Sequence, residues 1–185
     1  MLLSYTELVN EVVSRGVVTG VGPTDVNAAS IDLTLGDIFY TEREPTHRGM
    51  YTVVDLAKRE SIEWEHAAPR MREGYLDLAP GEFILTHTTN KFYMPDDLSA
   101  EYSLKSSLAR NGLEHLLAGW IDPGFTNSVL TLEFKNVSRF NILRIRPGMK
   151  IGQVKFFRHT AVPAEQSYRV RGRYNNDSSV AGIKP

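Results

Sequence analysis

The chain has 185 residues, 42% of them hydrophobic, no cysteine, and a formal net charge of −1. That length supports one well-filled core without staples, and zero cysteine excludes disulfides and every Cys-ligated zinc or iron–sulfur site. A net charge near zero argues against a non-specific nucleic-acid surface, and no apolar run approaches the ~20 residues that span a bilayer.

At the start, Ser4-Tyr5-Thr6-Glu7 fits a capping box, Leu8, Val12 and Val13 follow at helical spacing, and Gly16 ends the helix. Glu7 and Glu11 replace the basic flank of a signal peptide, so a cytoplasmic location is expected. Ile31, Leu33 and Leu35 alternate with Asp32 and Thr34 up to Gly36-Asp37, predicting a half-buried strand and a turn. Residues 41–75 are the least regular stretch and read as an insertion, and the mixed-sign charge at 58–65 and 70–73 reads as a solvated loop or edge. After the Pro80-Gly81 turn, Phe83 and Leu85 alternate with Ile84 and Thr86 as a strand. Residues 106–111 form a short helix ended by Gly112. The longest strand signal is 128–137, with Leu130, Leu132 and Phe134 on one face and Val129, Thr131, Glu133 and Lys135 on the other. Arg146-Pro147-Gly148 is a turn, and 151–157 is another strand. Many short strands between Pro and Gly turns predict a mainly β fold, a distorted β-barrel or jelly-roll. The polar tail, 169–185, is either disordered or a flap that orders over something; its composition favours disorder.

Three features carry possible chemistry. Lys105-Ser106-Ser107-Leu108-Ala109-Arg110 sets two hydroxyls between two cations at a helix start, which suits a phosphate; a serine N-cap with surface charges explains the same residues. Asp122 precedes Pro123-Gly124, where aspartate is common for turn reasons alone. Glu133 stands in the apolar run Leu130-Thr131-Leu132-Glu133-Phe134. A strand glutamate usually faces solvent, but a buried carboxylate there suits proton shuttling at neutral pH. His47, His66, His87, His115 and His159 are scattered, without HExxH spacing, and read as ordinary surface or core residues. No nucleophile elbow, Walker or Rossmann glycine pattern occurs.

Taken in order, these segments resemble the dCTP deaminase family of the trimeric dUTPase superfamily. The similar stretches are Ala29-Ser30-Ile31-Asp32-Leu33-Thr34-Leu35-Gly36, Leu78-Ala79-Pro80-Gly81-Glu82-Phe83, Lys105 to Arg110, Ala118 to Phe125, Thr131-Leu132-Glu133, Pro147 to Gln153, and Tyr168 with Arg173-Tyr174. The resemblance implies a dUTPase-like β domain over 1–168 and a tail, 169–185, closing over the active site. It also implies a homotrimer with interfacial sites, dCTP as substrate, and Mg²⁺ carried on the triphosphate rather than in a protein cage. Glu133 would be the general base. Ser106 and a carbonyl near Ala118 would hold the attacking water, and Arg110 would steady the tetrahedral intermediate. Lys105, Ser107 and Arg173 would bind phosphates, Tyr168 would hydrogen-bond nearby, and Asp122 would meet the 3′-hydroxyl or position water. Trp120, Thr131, Leu132, Gln153 and Asp177 complete the implied substrate-binding set.

Two positions depart from the family pattern: Lys105 stands where arginine is usual, losing its bidentate fork, and Asp177 stands where glutamine is usual. Ala118-Gly119-Trp120 and Gln153 resemble bifunctional members that continue from dUTP to dUMP, with Asp122 then also activating water toward the α-phosphorus. Enzymes stopping at dUTP, and a catalytically silent nucleotide-binding homologue, are the alternatives. With no cysteine and no histidine cluster, a cytosine deaminase must activate water with a carboxylate and hydroxyls, which selects Glu133 and Ser106.

Overall fold

A computed structural model of the chain describes residues 1–45, 51–180 and 182–184; His47 lies outside the described residues. The alternating segments become β1 (Ile31–Thr34), β2 (Tyr40–Glu42), β3 (Trp64–His66), β4 (Leu76–Leu78), β5 (Phe83–Tyr93), β6 (Leu98–Leu104), β7 (Leu113–His115), β8 (Trp120–Ile121), β9 (Thr126–Asn136), β10 (Leu143–Ile145) and β11 (Lys150–Arg158). One sheet runs β1-β11-β6-β8, a second runs β3-β2-β5-β9-β7, and β10 pairs with β4. Every pairing is antiparallel. The fold is thus mainly β, a distorted jelly-roll whose sheets do not close into one barrel. No helix among the described residues is long and apolar enough to cross a membrane.

The core lies between the two large sheets. Ile31, Leu33 and Leu35 bury their side chains there, as the alternation predicts, together with Ile84, Phe92, Leu132, Phe134, Val154 and Phe156. The N-terminal helix is shorter than its apolar spacing implies. The α-helical turn α1 covers Tyr5–Leu8, with the Ser4 backbone N–H donating to Glu7 Oε2 at 2.9 Å, and Val9–Ser14 continue as a wider π-helix. That winding carries Glu11 to the protein side, where the guanidinium groups of Arg15 and Arg158 hold it.

Segments weak in local signal are ordered by distant partners. Within residues 41–75 the charged side chains of 58–65 and 70–73 are exposed, as a solvated loop or edge should be, yet the segment also pairs with the sheet. β2 pairs with β3 and with β5, and Trp64 meets Phe83 edge-on with ring centroids 5.2 Å apart. On β5, Ile84 through Thr88 are all buried, with His87 packed against Gly36 and Ile38. The tail is likewise docked rather than loose. After the short helix α3 (Tyr168–Arg171), Ser128 Oγ donates to the Tyr174 carbonyl at 2.8 Å, the Asn176 N–H donates to the Thr126 carbonyl at 3.2 Å, and the Val129 N–H donates to the Asp177 carbonyl at 2.9 Å. These bonds satisfy backbone groups at the start of β9 that would otherwise stay unpaired.

Candidate active site

A cleft of about 500 Å³ opens where β5 and β9 meet the 54–64 segment, the turn after β8, and the tail. That is large enough for a nucleotide-sized ligand. Long-range register builds its floor: β5 and β9 pair so that Leu85 lies opposite Glu133 and His87 opposite Thr131. Thr131 and Glu133 line the cleft, whereas Leu132 between them is 1% exposed and belongs to the core. Any contact from Leu132 to a ligand therefore falls to its backbone. Val54, Leu56, Ile62 and Trp64 form an apolar wall facing Glu133, so this strand glutamate is not a solvent-facing one. Its Oε2 is buried and has no hydrogen-bond partner among the described residues.

Asp122 enters from the Pro123-Gly124 turn. The Phe125 N–H closes that turn on the Asp122 carbonyl at 3.2 Å, and Gly124 takes φ +84°, a conformation glycine adopts without strain. The carboxylate itself accepts the Trp120 indole N–H at 3.0 Å, and both residues line the cleft. Just before them, Gly119 has no room for a side chain, because a Cβ there would sit 2.5 Å from the Tyr102 carbonyl oxygen. The Tyr102 N–H donates to the Gly119 carbonyl at 2.7 Å, fixing the Ala118–Trp120 backbone against β6. Gly119→Ala should therefore lower stability by about 1–3 kcal/mol through forced backbone displacement, read from denaturant unfolding.

Tyr168, Tyr174 and Asp177 bring the tail to the same cleft. Burial pushes the Tyr168 phenol above its ordinary pKa, with the Asp122 charge adding to the shift, so it stays a protonated donor. Asp177 is not a bare carboxylate, because Lys184 Nζ pairs with it at 2.5 Å. Arg173 is exposed and does not line the cleft.

The cationic segment lies elsewhere. Lys105, not a serine, is the N-cap of α2 (Ser106–Ala109), and no side chain caps that helix, so the serine N-cap explanation fails. Ser106, Ser107 and Arg110 are exposed and absent from the cleft lining. Lys105 Nζ donates to Asp32 at 2.6 Å, and Gln153 Nε2 donates to the other oxygen of the same carboxylate at 3.3 Å. Burial raises the Asp32 pKa, but the bonds from Lys105, Asn27 and Gln153 outweigh it and leave the carboxyl below its usual range. The expected site residues thus separate. Ala118, Trp120, Asp122, Thr131, Glu133, Tyr168 and Asp177 line the cleft, Lys105 and Gln153 meet at Asp32, and Ser106, Ser107, Arg110, Leu132 and Arg173 do neither.

Sequence reasoning missed the 54–64 wall, whose apolar residues have no period, and His115. The imidazole of His115 is 3% exposed, with Nε2 3.5 Å from Glu133 Oε2. An isolated histidine carries no local mark of such a neighbour.

Known proteins place these features in context. A family model described as dCTP deaminase-like matches residues 2–159. The dUMP-forming dCTP deaminase of Acidothermus cellulolyticus is 40% identical over 173 residues, covering 91% of this chain and 85% of that protein. That of Mycobacterium avium is 39% identical over 181 residues, covering 94% and 90% respectively. Among solved structures, the 2′-deoxycytidine 5′-triphosphate deaminase of Agrobacterium tumefaciens superimposes with a TM-score of 0.60 at 22% identity. This match covers 84% of the present chain and 48% of that one, a likeness of fold alone.

Proposed function

The chain belongs to the dCTP deaminase family, and from that premise we propose that it hydrolyses dCTP at C4 of cytosine and carries the product on to dUMP and pyrophosphate. The observation that carries this reading is the half-buried Glu133 in a nucleotide-sized cleft that also holds Thr131, Asp122 and Tyr168. Identity of about 40% to dUMP-forming relatives over most of both chains supports it.

In the proposed reaction Glu133 takes a proton from water as the hydroxide adds to C4, and passes that proton to ring N3. A second proton moves from the new C4 hydroxyl to the amine, the C–N bond breaks, and ammonia leaves as the C4 carbonyl forms. Atoms balance as dCTP plus water giving dUTP plus ammonia. Ser106 and the carbonyl of Ala118 hold the water, and Arg110 steadies charge in the tetrahedral intermediate. Asp122 then activates a second water toward the α-phosphorus. Lys105, Ser107, Gln153 and Arg173 hold phosphates, and the tail, 169–185, acts as the lid. Mg²⁺ would be carried on the triphosphate, since a hard cation takes phosphate oxygens and waters without a protein cage. One oxygen of Asp122 accepts the Trp120 N–H, which leaves the other for the water it activates, and Asp177 already pairs with Lys184. When bound, the ion would neutralise phosphate charge. The cytoplasm is the proposed place of work.

Because the cationic cluster does not line the cleft containing Glu133, one chain offers two half-sites. We infer a homotrimer in which Ser106, Ser107 and Arg110 of one copy complete the cleft of the next. Incubation with dCTP and Mg²⁺ followed by chromatography tests the reaction: dUMP, pyrophosphate and ammonia are expected, and no turnover would overturn it. Trp120→Phe keeps the ring and loses the hydrogen bond to Asp122. A hydrogen bond to a charged group contributes about 1.5–3 kcal/mol. Conversion of dUTP to dUMP should therefore fall about tenfold more than ammonia release does, read from the product ratio.

A further inference from the structure

His115 Nε2 and Glu133 Oε2 are two buried polar atoms without a hydrogen-bond partner among the described residues, and they face each other at 3.5 Å. From this we infer that His115 is the positioning residue for Glu133, donating from Nε2 to Oε2 and leaving Oε1 to meet water and the cytosine ring. The inference rests on the reading of Glu133 as the base.

Four features of the surroundings support it. β7 pairs with β9 so that His115 lies opposite Phe134, directly beside Glu133 in the chain. The Leu116 N–H donates to the Glu133 carbonyl at 3.3 Å, tying the backbones of the two residues together. The imidazole is clamped between the Tyr102 ring, 4.7 Å away, and the Phe134 ring, 5.7 Å away, which fixes the direction of its N–H. Tyr102 does not compete for the role, because its hydroxyl donates to the Ile151 carbonyl at 3.5 Å. A buried polar atom left unpaired is costly, and the contact stands at the long end of a hydrogen bond. Such contacts often tighten only when substrate closes the site. The carboxylate must present one oxygen to two successive proton transfers, so holding its other oxygen lowers the orientational cost of both.

The experiment compares His115→Phe, which keeps ring packing without a donor, with His115→Gln, whose amide nitrogen reaches the place of Nε2. Ammonia release from dCTP should show kcat reduced about 10–100-fold in His115→Phe, with KM within about threefold and substantial recovery in His115→Gln. Equal loss in both variants at matched melting temperatures would reduce His115 to packing and overturn the inference, as would full kcat in His115→Phe. If His115→Phe does not fold, the Nε2 proton of ¹⁵N-histidine-labelled wild type carries the test. A downfield, slowly exchanging signal that moves in Glu133→Gln is expected, and a signal indifferent to that substitution would overturn the inference. Failure of the reading beneath it looks different: the wild-type enzyme itself would release no ammonia, or Glu133→Gln would release it normally.

Discussion

Glu133→Gln should abolish ammonia release from dCTP while dCTP binding, read by calorimetry, stays within about threefold. The amide matches the carboxylate in shape and can still accept a hydrogen bond from His115, but it cannot take a proton from water. General-base catalysis contributes roughly 10²–10⁴-fold. With one group making two proton transfers, the loss belongs at the upper end, about 10³–10⁴-fold, or roughly 4–5 kcal/mol of barrier. Because Glu133 is half-buried on a strand whose neighbours Leu132 and Phe134 anchor the core, the variant should keep its fold. Unchanged ammonia release would remove Glu133 from the mechanism.

The second large effect concerns assembly. Ser106→Ala and Glu133→Gln should each be nearly inactive alone, yet regain activity when unfolded together and refolded as a mixture. If every site joins Glu133 of one copy to Ser106 of the next, random mixing leaves both residues intact in about a quarter of sites. Activity should therefore return to about a quarter of the wild-type value. A mixture as dead as its components would mean that each cleft is complete within one chain. The exposure of Ser106, Ser107 and Arg110, none of which faces the cleft, makes that outcome unexpected.

Asp177 shows how a local difference reads otherwise in three dimensions. As a sequence feature it puts a negative charge where a triphosphate should lie. In the fold it is paired with Lys184, seven residues along, and its backbone is bonded to Val129 and to Ser128 Oγ on β9. The tail is held by that strand, not by any propensity of its own, which is why a polar composition pointed toward disorder.

What could be read from the order of residues alone was whatever rests on neighbours along the chain. Alternation marked β1, β5, β9 and β11; Pro-Gly and Gly positions marked the turns; and the motif order from Asp32 through Glu133 to Tyr174 carried the family. Tertiary structure decided which groups meet. Leu85 faces Glu133 from 48 residues away, Lys105 and Gln153 share the Asp32 carboxylate, and apolar residues of 54–64 wall the cleft. His115 became a neighbour of Glu133 for the same reason, whereas Leu132 lies in the core on the face that alternation assigned to it. Strand register is set by the burial of a whole face against distant strands, and a shift of one residue would exchange every side chain between core and cleft. Alternation along a strand sorts its residues into two faces, but no local pattern names the strand and register each face will meet.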